Sequence, residues 1–122
     1  MPAAKNGDSV CKVALQQDGV YSGVLAISSY DFVGNLFVNN VYCFDPASFK
    51  VAEGGSVQVY FGASRGAALK CPETFKYDSK SNLVAYYKSW GIATDVHIEL
   101  QSQPFPNEDC LHSRQEIKRP EK

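Results

Sequence analysis

Residues 95–100 read Asp-Val-His-Ile-Glu-Leu, and nowhere else in the 122-residue chain do ionisable side chains fall at a spacing so suited to chemistry. On an extended backbone the period of two puts Asp95, His97 and Glu99 on one face and Val96, Ile98 and Leu100 on the other. A carboxylate beside an imidazole supplies the acid and base of a small hydrolase of the ribonuclease kind. His97 and Glu99 would then be catalytic, with Arg65 or Lys88 across the sheet stabilising a developing anion. The same alternation also describes the wet face of any half-buried antiparallel strand, with Val96, Ile98 and Leu100 turned inward.

A metal is not expected. Alternate positions on a strand stand about 7 Å apart, too far for Asp95, His97 and Glu99 alone to share an ion. The cysteines lack the C-x-x-C spacing of a zinc site, His97 and His112 are the only histidines, and Met1 is the only methionine available to a copper centre. No cofactor motif occurs either. Gly62-Ala63-Ser64-Arg65-Gly66 spells a nucleophile elbow, but an elbow needs a strand-to-helix turn in a larger α/β sheet, so a loop is expected there.

A second chemistry is recognition. Tyr86, Tyr87 and Trp90 cluster around an expected turn at Ser89-Trp90-Gly91, with Tyr77, Tyr60 and Tyr30 as possible neighbours. Flat rings with polar tips suit stacking on sugar rings or burial in a protein interface. The competing reading is that Trp90 closes the end of the core. The basic residues from Arg114 onward suit weak contact with an acidic partner, or a solvated end.

These residues need a scaffold, and composition points to an all-β one. There are 7 Phe, 7 Tyr and 1 Trp, 44% of residues are apolar and 20% charged. A net charge of −1 makes nucleic-acid binding unexpected without a local patch, and no apolar run is long enough for membrane insertion. Residues 35–44 and 56–61, rich in β-branched and aromatic side chains, read as two neighbouring central strands. Gln17-Asp18-Gly19 reads as a hairpin turn with Gly19 at positive φ, and Gly23 as a bulge. Asp45-Pro46 reads as the cap and first position of a single helical turn, and Pro72 as an edge or kink between two short strands. The expected architecture is an antiparallel sandwich or small barrel of seven to eight strands, with a short C-terminal helix an option.

The expected organisation is a flexible leader over 1–9, one disulfide-stabilised domain over 10–111 and a mobile tail over 112–122. The start has no hydrophobic signal-peptide core, which fits a mature domain or an unsecreted protein. Four widely spaced cysteines in a small β chain argue for two disulfides and an extracellular setting. Of three pairings the nested one, Cys11 with Cys110 and Cys43 with Cys71, is preferred because sandwiches bring their termini together. The resulting expectation is a secreted domain that binds a protein or carbohydrate surface through glycine-rich loops and exposed aromatics, in a defence, toxin-like or host-interaction role. The alternative is the small hydrolase built on His97 and Glu99.

Overall fold

Runs rich in β-branched and aromatic side chains build most of the ten short strands found among the described residues. The computed structural model describes residues 1–106 and the backbone of 111–112. In chain order the strands are β1 (Ser9–Val10), β2 (Lys12–Gln17), β3 (Gly23–Ile27), β4 (Val33–Leu36), β5 (Asn40–Phe44), β6 (Ser56–Ala63), β7 (Leu69–Tyr77), β8 (Val84–Ile92), β9 (Asp95–Leu100) and β10 (Leu111–His112). They form two five-stranded sheets, ordered β1-β7-β6-β3-β4 and β10-β5-β2-β8-β9. Inward residues of both sheets, among them Leu15, Phe44 and Tyr87 from one and Leu25, Val59 and Phe61 from the other, share one core.

The all-β class holds, but the strands number ten among the described residues, and the sheets are mixed instead of antiparallel throughout. β1 runs parallel to β7, β2 to β8 and β10 to β5. For the first two of these pairs, the first extended segment passes from one sheet to the other at Cys11 and pairs alongside a different strand in each. The expected central pair is also broken. Residues 35–44 do not form one strand, because Asn35 and Asn39 adopt left-handed φ values of 62° and 68°, so β4 ends in one sheet and β5 begins in the other. β5 and β6 therefore lie in opposite sheets.

Gln17-Asp18-Gly19 likewise joins strands of different sheets and makes no hairpin. Gly19 lies under the Tyr21 ring, which would have to move aside for a Cβ placed 2.1 Å from it, and its φ is not positive. The pairing of β3 with β4 shifts register between Gly23 and Leu25. The single helical turn is present as a 3₁₀ turn, Pro46–Phe49, where Asp45 Oδ1 accepts from the Ala47 amide at 3.0 Å. β7 runs unbroken through Pro72. β1 pairs with it only at Lys76 and Tyr77, so the proline sits on an open edge where its missing N–H leaves no ladder bond unmade. Gln58 Nε2 donates to the carbonyls of Cys71 and Glu73 across the adjoining register shift.

The expected leader is packed. Ala4 is buried and its amide donates to the Val84 carbonyl at 2.8 Å, while the Val84 amide donates to Pro2 at 3.1 Å. The cysteine pairing is corrected too, because Cys11 and Cys71 are free thiols, so neither Cys11–Cys110 nor Cys43–Cys71 forms. Parity explains it: Tyr42 and Phe44 point into the core shared with Cys71, which turns Cys43 to the outer face of its sheet, beside Ala14 and Tyr86. Cys43 itself is disulfide-bonded. Cys110 lies outside the described residues, as do 113–122 of the expected tail and most of the optional C-terminal helix. Leu111–His112, the described part of that span, is strand. Among the described residues no helix is long and apolar enough to cross a membrane.

Candidate functional site

β8 does not turn at Ser89-Trp90-Gly91 but continues to Ile92, pairing with β9 so that Trp90 faces His97, Lys88 faces Glu99 and Ile92 faces Asp95. Gly91 carries the left-handed φ of 100° that resembles a turn in the sequence. A Cβ there would meet the Asp95 carbonyl at 2.2 Å, so only glycine lets the two strands close here. Ser89 points into the core and Trp90 out.

On the outer face the indole of Trp90, 42% exposed, stacks on the imidazole of His97 with centroids 5.4 Å apart and planes 8° from parallel. His97 Nε2 lies 3.2 Å from Asp95 Oδ1, and the two side chains are 46% and 74% exposed. Glu99 is exposed on the same face, while Val96, Ile98 and Leu100 pack on the core as expected.

Beneath Trp90 lies a buried polar cluster. Gln17 occupies the third inward position of β2 after Val13 and Leu15, and its amide is completely engaged. Nε2 donates to the carbonyls of Leu36 (3.1 Å) and Tyr21 (3.2 Å), and Oε1 accepts from the Gly19 amide (2.7 Å) and the Ser89 hydroxyl (2.8 Å). Tyr21, lying over Gly19, donates its hydroxyl to the Trp90 carbonyl at 3.3 Å. Burial pushes the Tyr21 phenol up, against a smaller opposing effect of a hydrogen bond with Ser89. Val20 pairs with Ile92 across the sheet margin, and both are exposed.

Tyr21 also lines a cleft of about 610 Å³ bounded by residues 20–22, 63–67 and 93–94. Arg65 stands in this cleft, as do Ser22, Ser64 and Thr94, whereas His97 and Glu99 do not. The structure thus joins His97 to Asp95 and Trp90 and sets Arg65 in a separate feature. The elbow-like stretch ends β6 and leads through a turn to β7 without a helix.

Tyr86 and Tyr87 are buried and do not share a patch with Trp90. As consecutive strand residues they point to opposite faces. Tyr87 enters the core and donates to Glu73 Oε1 at 3.1 Å, while Tyr86 lies under Phe105 and donates to Gln16 Oε1 at 3.0 Å. Tyr77 is buried, and Tyr30 pairs with Tyr60 of the other sheet. Among the described residues no three His, Cys, Asp or Glu side chains gather closely enough to hold a metal ion.

No family model, no curated protein and no solved structure matches this chain. The arrangement offers a flat aromatic surface flanked by hydrogen-bonding groups, and Ile92, two residues beyond Trp90, bridges to Val20, which lines the cleft that contains Arg65. Gln17, Tyr21, Val20 and Ile92 were not singled out as site residues from the sequence. The one signal for Gln17 was its polar side chain at an inward position of an alternating strand.

Proposed function

We propose that this chain is a non-catalytic binding domain acting outside the cell, and that its ligand is a carbohydrate surface met by Trp90. The observation that carries the reading is the half-exposed indole held parallel to His97. A ring fixed in orientation by a stacked neighbour loses little freedom when a second flat or C–H-bearing face docks on it. Asp95 and Glu99 lie on the same face to hydrogen-bond hydroxyl groups. The oxidised state of Cys43 supports the extracellular setting.

The test is titration with a panel of oligosaccharides followed by the fluorescence of the single tryptophan. Binding that is lost in Trp90→Ala supports the reading. Binding of a protein surface instead, with no saccharide bound, moves the ligand to the other class that Trp90, Ile92 and Val20 suit.

The 3.2 Å contact between Asp95 and His97 favours a second reading, the small hydrolase, because a carboxylate that orients an imidazole is half of an acid–base site. Both side chains stand in open solvent on a sheet face, which is why binding is preferred. RNA hydrolysis by purified protein that falls about a hundredfold in His97→Ala would reverse that preference.

A further inference from the structure

We infer that the cleft around Arg65 is the subsite for a carboxylate, so that the ligand is an acidic saccharide whose uronate group enters the cleft while a neighbouring ring rests on Trp90. This rests on the carbohydrate reading above and adds the charge of the ligand to it. The cleft is lined by Val20, Tyr21, Ser22, Ala63–Ala67 and Ala93–Thr94, which bring one guanidinium and no carboxylate. Arg65 is exposed and, among the described residues, pairs with no acidic side chain, the one ion pair being His97 with Asp95. The hydroxyls of Ser22, Ser64 and Thr94 stand in the same lining and are not consumed by hydrogen bonds among the described residues.

A guanidinium presents two parallel N–H donors that match the two oxygens of a carboxylate, and hydroxyl donors complete such a site without adding charge. The β6–β7 turn that presents Arg65 is tied to the body by the Ser64 amide, which donates to the Ser22 carbonyl at 2.9 Å. Continuity with Trp90 follows from Tyr21, which lines the cleft and donates its hydroxyl to the Trp90 carbonyl, and from Val20, which lines the cleft and pairs with Ile92. One ligand can therefore cross from ring to cation along Trp90, Ile92 and Val20.

The experiment compares oligouronates, of galacturonate, mannuronate and glucuronate-containing types, with their methyl esters, which keep the sugar rings and remove the charge. Calorimetric titration is run on the full chain, on Arg65→Gln and on Trp90→Ala. The inference predicts that the native chain binds one of the acids about tenfold or more tightly than its ester, the scale of a charge-assisted hydrogen-bonded pair. Arg65→Gln should bind acid and ester alike at the native ester's affinity, and Trp90→Ala should weaken both. Equal affinity of the native chain for acid and ester overturns the carboxylate subsite and leaves carbohydrate binding standing. A preference for acid that survives in Arg65→Gln also overturns it. If neither acid nor ester binds, the carbohydrate reading fails and this inference with it.

Discussion

The imidazole of His97 lies parallel to the indole of Trp90 across the β8–β9 ladder, 5.4 Å from centroid to centroid. The two rings are cross-strand partners, so the stack is built by register and not by a loop. Each ring is expected to stabilise the strand pair through the other. Trp90→Ala should cost about 1 to 2 kcal/mol, short of the roughly 3 to 5 kcal/mol of a fully buried tryptophan. A double-mutant cycle with His97→Ala, followed by urea unfolding, should show a coupling of about 0.5 to 1.5 kcal/mol. Strict additivity would mean that the stack contributes nothing.

Gln17 is the hinge of the polar cluster beneath that stack. Gln17→Ala removes the side-chain partner of the buried Gly19 amide and Leu36 carbonyl and of the part-buried Tyr21 carbonyl, and leaves the Ser89 hydroxyl only its longer 3.5 Å bond to the Gln16 carbonyl. The expected destabilisation exceeds about 3 kcal/mol, since each unpaired buried group costs about 1 to 3 kcal/mol. Urea unfolding of the variant measures it, and a loss under about 1 kcal/mol would show that water replaces the amide.

Cys71 gives a pH signature. Burial pushes its thiol up from 9.0 to about 12, with Glu73 adding to the rise and a Tyr87 hydrogen bond opposing it. The folded state thus holds this proton more tightly than the unfolded chain. The corresponding stability is fully present below pH 9.0 and is lost as pH rises through about 12, by at most about 4 kcal/mol. Unfolding curves between about pH 8 and about pH 11 should show a decline that is shallower in Cys71→Ala. Identical declines in the two proteins would assign the effect to other groups.

Much of this was legible where parity alone decides. Val96, Ile98 and Leu100 pack inward because nothing interrupts their alternation, Asp45-Pro46 opens its turn, and Pro72 marks an open edge. What was not legible is which sheet each strand joins. Gln17-Asp18-Gly19 looks like a hairpin whether the chain folds back or crosses over, and the parallel pairing of β2 with β8 leaves no local trace. Ser89-Trp90-Gly91 reads as a turn because glycine permits one, whereas here Gly91 serves close strand approach. That single misreading placed Tyr86 and Tyr87 with Trp90 at a loop, when an unbroken β8 buries both and leaves Trp90 outside. The cysteine pairing failed for the same reason, since the outward face of Cys43 depends on a sheet assignment that only the assembled core decides.

Acrylamide quenching of Trp90 during titration with the tightest-binding oligosaccharide tests the central claim most directly. Trp90 is the only tryptophan and is 42% exposed, so the free protein should be readily quenched. The quenching constant should then fall in step with occupancy as the sugar covers the ring. Binding that leaves the constant unchanged, or an indole already shielded in the free protein, would contradict the account.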